Sequence, residues 1–270
     1  MRWVAPGPAF LFCPADRPER FEKAARAADV VILDLEDGVA PDRRDAARDA
    51  LRTANLDPDT TVVRLNPVGS VEHPRDLDAF LATGLGKVML AKTSSAADVR
   101  ALAPLEVVAL CETPQGVCNA AEIAACPNTA AMMWGSEDLV AALGGSASRA
   151  SDGSLRDLAR YARAKVLVDA GVHGVGALDT VFLNFGDLEG FRREAEDAAA
   201  MGFMATACIH PSQVAVVRDA YRPTEDQVAF AREVLAAVGE GGVFRLGDVM
   251  IDGPVIAQAQ AILRRAGEGA

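Results

Sequence analysis

The sequence predicts an α/β fold, a closed (β/α)8 (TIM) barrel with a C-terminal helical lid or arm. Three observations predict it. Eight short apolar runs alternate with segments of helical period. The runs are continuously apolar, as strands are when helices cover both faces of a parallel sheet. Several of the runs end in a polar or charged residue, as strands do when they open on one common mouth. An open doubly wound sheet is the alternative, but it wants a Gly-rich turn after the first strand, and "FCPADRPER" has no G-x-G-x-x-G.

Taken in order, "AFLFC" (9–13) precedes helical "RPERFEKAARAA" (17–28), and "VVILDLED" (30–37) precedes "PDRRDAARDALRTA" (41–54), where Pro41 suits a first turn. "TTVVRLN" (60–66) leads to "PRDLDAFLAT" (74–83). "KVMLAK" (87–92) leads to "SAADVRALA" (95–103), capped by Ser94 or Ser95. "EVVALCET" (106–113) is followed by a helix over 116–125. "AAMMWGSED" (130–138) is followed by a Gly/Ser-rich loop and a helix over 154–169. The seventh unit is read as strand 180–185, "TVFLNF", and helix 188–202. The eighth is "ATACIH" (205–210) and helix 211–222. The barrel therefore takes residues 1–222. Residues 223–270 form an extension: a helix over 224–238, a mobile Gly241-Gly242 turn, the segment "VMIDGPVI", and a last helix ending near Arg265.

Composition narrows the function. The 270 residues are 50% hydrophobic and 24% charged, as in soluble globular proteins. A net charge of −11 with no Lys/Arg cluster argues against nucleic acid. No apolar run reaches the length of a membrane span. The N-terminus lacks the pattern of a signal peptide. Five cysteines without a C-x-x-C suggest neither a disulfide framework nor a zinc site, so a cytoplasmic protein is expected.

The strand ends carry the chemistry. Glu36, Asp37, Glu112, Glu137 and Asp138 gather at the mouth against Arg64 and Lys92. Carboxylates held together repel, so one protonates or a cation intervenes. Oxygen donors without thiolate or paired His favour a hard ion, Mg²⁺ with waters completing an octahedron. The bland alternative is that each acid caps the helix after its strand. Arg64, two residues before Asn66, is placed to face the interior and to grip a carboxylate through two parallel bonds, or to make a structural ion pair with Glu36 or Asp37. Gly135 permits close backbone approach, and N–H groups at the turn from Ser136 could hold an anionic group. His73 and His173 are read as surface residues and His210 as a structural hydrogen-bonder.

The motifs "FCPADRPERFEKA", "VILDLEDGV", "VVRLN", "ALCETPQG", "MMWGSEDL", "CIHPSQV" and "VMIDGPV" occur in this order from about residue 9 to 265. Together they resemble citrate lyase beta-subunit-like proteins of the HpcH/HpaI aldolase superfamily, relatives of malyl-CoA lyases. The resemblance implies an Mg²⁺-dependent barrel, a homotrimer or dimer of trimers, that breaks or forms a carbon–carbon bond between an acyl-CoA thioester and a keto acid. It implies Glu112 and Asp138 as metal ligands and Arg64 as the group that binds the substrate carboxylate and polarises its carbonyl. Glu36 and Asp37 would orient Arg64 and metal-bound waters. Asp252 would be the acid/base at the thioester α-carbon, and Arg17 and Lys23 would lie near the CoA phosphates. The sequence departs from the family at "VMLAK", which lacks Pro before the lysine, and at Pro114-Gln115. Two other readings stand beside this one: a carrier-dependent or non-catalytic beta component of a larger lyase complex, and a class II pyruvate-type aldolase.

Overall fold

The computed structural model describes residues 3–238 and 243–268. The chain forms two compact units, one up to Val217 and one from Arg218 onward.

The first unit is a closed parallel barrel. Its strands are β1 (Ala9–Pro14), β2 (Val30–Asp34), β3 (Thr61–Leu65), β4 (Lys87–Leu90), β5 (Glu106–Cys111), β6 (Thr129–Trp134), β7 (Gly176–Asp179) and β8 (Ala205–Cys208), each beside the next in sequence. β1 closes the ring against β8, with Phe10 opposite Ala207. The helices between them are α1 (Phe21–Ala27), α2 (Arg44–Thr53), α3 (His73–Leu81), α4 (Ala96–Arg100), α5 (Pro114–Cys118), α6 (Ala120–Ala124), α7 (Ser136–Ala142), α8 (Asp157–Val172) and α9 (Leu188–Met201), and α10 (Pro211–Tyr221) follows β8. Local chemistry sets several of their ends. Ser95 accepts from the N–H of Asp98 while the Asp98 carboxylate accepts from the N–H of Ser95, a capping box that starts α4. Gly202 ends α9 with φ 101°, a left-handed position that glycine takes at no steric cost.

The period of two along each strand divides the buried residues. Phe10, Val30, Ile32, Val62, Met89, Val108, Leu110, Ala131, Met133, Leu178 and Ala207 belong to one buried cluster. Val31, Leu33 and Val63, on the alternate positions, are buried as well. Large apolar side chains such as Phe10 and Ile32 each contribute about 1.5–3 kcal/mol by full burial.

Four expectations are corrected. The seventh strand is "GALD" (176–179), not 180–185. "TVFLNF" is apolar for another reason: Phe182 lies in the loop and packs on Phe191 of α9, with ring centroids 5.7 Å apart. The sixth strand stops at Trp134, and "SED", expected as the strand end before a Gly/Ser-rich loop, is instead the first turn of α7 after Gly135. The helix read over 116–125 is two short helices, α5 and α6. His73 is buried, with Nδ1 2.7 Å from the Asn66 carbonyl oxygen.

The second unit holds α11 (Glu225–Ala236), an antiparallel hairpin of β9 (Phe244–Leu246) and β10 (Val249–Ile251), and α12 (Gly253–Arg265). Ala231, Val234, Ile251 and Ala259 form its core. Thr224 and Gln227 make a capping box for α11. The hairpin was not anticipated, its strands being three residues each. The Gly241-Gly242 turn lies outside the described residues. Among the described residues no helix is long and apolar enough to cross a membrane.

Candidate active site

The barrel brings the strand-end charges to one place. Val30, Ile32 and Asp34 alternate along β2, so Asp34 continues the inward face. Opposite it in register stands Arg64 of β3. The two make a fork-to-fork pair: Arg64 Nε donates to Asp34 Oδ1 and Nη2 to Oδ2, both at 2.6 Å. The guanidinium also lies 3.2 Å from Glu36 Oε2 and over the ring of Phe12, 5.0 Å from its centroid. Burial works against its charge, but Asp34, Glu36 and Glu112 keep its pKa above the ordinary value. The sequence assigned Glu36 or Asp37 to Arg64. The structure gives it Asp34 and Glu36, while Asp37 turns outward to Lys92.

Asp34 has two further donors. The N–H of Glu36 reaches Oδ1 at 2.9 Å and the N–H of Gly38 reaches Oδ2 at 2.8 Å. This wrap requires glycine at position 38, because a Cβ there would fall 2.3 Å from Asp34 Oδ2. The turn "LEDG" is thus folded around the carboxylate that aims Arg64.

Glu112 follows β5 and is buried. Its Oε1 accepts the N–H of Lys92 at 3.0 Å. Burial, and then the charge of Asp138, push its pKa up to about 8 against the pull of Arg64 and Lys92. Gly135 gives it room: a Cβ at 135 would stand 2.7 Å from Glu112 Cβ and 2.8 Å from Oε2. Asp138, in the first turn of α7, lies 3.3 Å from the Lys92 ammonium. The Ser136 hydroxyl is committed to Glu137, donating to Oε1 at 3.0 Å, and the Ser148 hydroxyl donates to the same oxygen. Glu137 is therefore held by the loop and is not a free member of the mouth.

Lys92 stands between the acids. Its ammonium contacts Glu36, Asp37 at 3.2 Å and Asp138 at 3.3 Å. These partners outweigh burial and hold it above the ordinary lysine range. Burial raises Glu36, offset only in part by Arg64 and Lys92; Asp37, though its own burial pushes up, is held low by hydrogen bonding with Glu36 and by Lys92.

Near the ends of β1 and β2, a concave basin of about 550 Å³ is lined by Pro14, Asp16, Arg17, Arg20, Gly38, Ala40 and Arg43. Arg17 and Arg43 approach Asp16 at 3.7 and 3.5 Å, and all three arginines suit an anion. Lys23 is exposed on α1 and does not line it, whereas Arg20 and Arg43 do, a pairing of two loops that spacing in sequence does not reveal. Asp252 caps α12 in the second unit, its Oδ1 accepting the Val255 N–H at 3.3 Å. His210 is exposed, within 2.7 Å of Ser212 Oγ and stacked on Phe185.

Among the described residues, no three or more His, Cys, Asp or Glu side chains converge on one metal position. Two carboxylates do repel each other at the mouth. Among the described residues, Glu112 Oε2 and Asp138 Oδ2 take no protein hydrogen bond, while Oε1 accepts the Lys92 N–H and Oδ1 lies 3.3 Å from the Lys92 ammonium. Hard oxygen donors of this kind fit a divalent cation that keeps several waters.

Fold and site define a (β/α)8 barrel with an acidic mouth and a paired guanidinium at the strand ends. The chain belongs to the HpcH/HpaI aldolase/citrate lyase family, whose model matches residues 9–211. A second model, for a C–C bond lyase of the TIM-barrel fold, matches residues 160–267. The citrate lyase subunit beta-like protein of Mycobacterium tuberculosis is 57% identical over 99% of this chain and 98% of its own. The (3S)-malyl-CoA thioesterase of Cereibacter sphaeroides is 33% identical over 94% and 91%. The crystal structure of M. tuberculosis CitE in complex with magnesium, acetoacetate and coenzyme A superposes with a TM-score of 0.94 at 57% identity, covering 98% of this chain and 99% of that one.

Proposed function

We propose that this protein is an Mg²⁺-dependent carbon–carbon lyase that joins or parts an acyl-CoA thioester and a keto acid. The observation that carries it is the pairing at one mouth of two mutually repelling carboxylates, Glu112 and Asp138, with the preoriented guanidinium of Arg64. The relatives solved with magnesium, coenzyme A and small keto acids support the same reading.

Glu112 and Asp138 would hold the ion, which when bound supplies a Lewis acid for the keto-acid oxygens. Arg64, aimed by Asp34 and Glu36, would grip the keto-acid carboxylate and donate to the carbonyl oxygen. In the direction of condensation, Asp252 takes the proton from the thioester α-carbon. The electron pair left there attacks the keto carbon as its C=O π bond opens, and the resulting alkoxide oxygen takes a proton from water to become the hydroxyl of the product, while Asp252 gives its proton up to solvent. Cleavage runs these steps backwards, with Asp252 returning the proton. The N–H groups from Gly135 and Ser136 would face the substrate's anionic end. Arg17, with Arg20 and Arg43 in place of Lys23, would meet the CoA phosphates in the basin near β1 and β2. Residues 1–222 would be the catalytic barrel and 223–270 a lid or arm, in a cytoplasmic homotrimer or dimer of trimers.

A screen of 3-hydroxyacyl-CoA thioesters with Mg²⁺, read by mass detection of the shorter acyl-CoA and the keto acid, tests the function. Glu112→Gln and Asp138→Asn should abolish the Mg²⁺-dependent signal while remaining folded. Turnover of free pyruvate and aldehydes with no thioester cleaved would favour the class II aldolase. Activity appearing only with an added carrier subunit would favour the beta-component reading.

A further inference from the structure

Lys92 is in contact with both candidate metal ligands through different parts of itself. Its backbone N–H holds Glu112 Oε1 at 3.0 Å, and its ammonium stands 3.3 Å from Asp138 Oδ1. The residue takes φ 50°, and among the described residues it is the non-glycine with positive φ. A lysine in the left-handed region costs about 1 kcal/mol or more, and such strain persists where the surroundings over-determine it. The turn that imposes this conformation points N–H and side chain to different acids: N–H to Glu112, and ammonium to Glu36, Asp37 and Asp138.

Glu112 Oε1 is thereby taken by a hydrogen bond and Asp138 Oδ1 by an ion pair with the ammonium, while among the described residues no hydrogen bond reaches Glu112 Oε2 or Asp138 Oδ2. Calcium accepts six to eight oxygens and readily takes a carboxylate through both of its oxygens as well as through one. Magnesium wants a tight octahedron, with few carboxylate oxygens and several waters. A residue that ties up one oxygen per carboxylate therefore discriminates against the larger ion. Resting on the lyase reading above, we propose that Lys92 is the positioning residue that makes Glu112 and Asp138 present single oxygens and so sets the preference of the site for Mg²⁺ over Ca²⁺.

The proposal concerns a ratio, which separates it from simple charge. Removing one positive charge near the site changes the attraction for both divalent ions alike, so it cancels in the ratio of their affinities. The test is calorimetric titration of the full-length, metal-free protein with MgCl₂ and with CaCl₂. Lys92→Met removes the ammonium and keeps the backbone N–H. Lys92→Gly does the same and accepts the left-handed backbone without strain, so it serves if the first variant folds poorly. The affinity ratio of Ca²⁺ to Mg²⁺ should rise about tenfold in either variant, since Asp138 regains its second oxygen for the larger ion. A ratio within about twofold of wild type, with both ions still displaced by Glu112→Gln, would overturn the role of Lys92 and leave the metal site standing. Loss of both ions from folded variants would also overturn it, because the lysine would then be needed for any ion. If the wild type binds Mg²⁺ no better than Glu112→Gln does, the lyase reading itself falls, and this inference with it.

Discussion

Asp34→Asn is the substitution on which the geometry speaks most directly. Four donors converge on two carboxylate oxygens: Arg64 Nε and the Glu36 N–H on Oδ1, Arg64 Nη2 and the Gly38 N–H on Oδ2. Asparagine offers one oxygen and one NH₂. Whichever way the amide is turned, two of the four donors meet another donor, and one of those two belongs to the guanidinium. The residue is buried, so water does not make good the loss. Breaking one partner of a buried ion pair costs about 3–5 kcal/mol. Glu36 remains 3.2 Å from Arg64, which places the expected cost near the lower edge, about 3 kcal/mol. For a domain of this size about 2–4 °C accompanies each kcal/mol, so the melting temperature should fall by about 6–12 °C. The buried Trp134 provides a fluorescence probe of the barrel for thermal scans of the metal-free protein. The same variant should also lose turnover by more than its folded fraction, because Arg64 is no longer aimed. A drop smaller than about 2 °C with an unchanged KM for the keto acid would refute the claim that Asp34 orients Arg64.

Three more outcomes follow from the site. Arg64→Lys keeps a charge but not the planar fork, and activity should fall about a hundredfold, as when one preorganised donor is lost; a near-wild-type rate would return Arg64 to a structural role. Glu112, raised from 4.5 to about 8, should bind Mg²⁺ more tightly as pH rises towards 8, since the ion needs the carboxylate. In the same window the metal-free fold keeps a proton that the unfolded chain has lost, so its stability should decline as pH rises from about 4.5 to 8, and Glu112→Gln should flatten both trends in calorimetry and urea melts. Asp252→Asn and Asp138→Asn should each be nearly inactive, and co-refolding equal amounts should restore about a quarter of the sites if Asp252 comes from a neighbouring copy in a ring; no restoration between folded, exchanging variants would show that each chain uses its own.

Most of the barrel was legible because both faces of its staves are buried, and such strands print themselves as apolar runs between amphipathic helices. "VVILD" and "TVVRL" stand out for that reason. β7 did not, because "GALD" has a glycine, an alanine and no β-branched residue, and a short stave inside a closed ring needs little intrinsic preference when its neighbours supply the ladder. The rival signal "TVFLNF" was louder, and part of its apolar content, Phe182, is spent on packing against α9. The ends of strands were harder still. β2 stops at Asp34, since the next four residues must turn back to surround that carboxylate with N–H groups.

That stop explains why Asp34 itself was passed over. The apolar run "VVILDLED" extends to Asp37 and draws notice to its last acids, whereas strict alternation from Val30 and Ile32 already aims Asp34 inward, opposite Arg64. The sequence held that signal. It held none for Arg20 and Arg43 lining one basin, and it brought Lys92 and Glu36 to one mouth without showing that they touch across 56 positions, because such neighbours depend on which turns a closed ring brings together. Periodicity tells which side chains point inward; ring closure decides which of them touch. An acid read alone at a strand end is as compatible with a helix cap as with a ligand, and Asp252 is seen in the first of these roles. Glu112 differs from it in a way only the folded chain expresses: it is buried, it faces Asp138, and glycine at 135 leaves its second oxygen room. A buried carboxylate raised by a neighbouring acid, and held by the N–H of a lysine in left-handed backbone, is not a helix cap, and it has the character the proposed metal site requires.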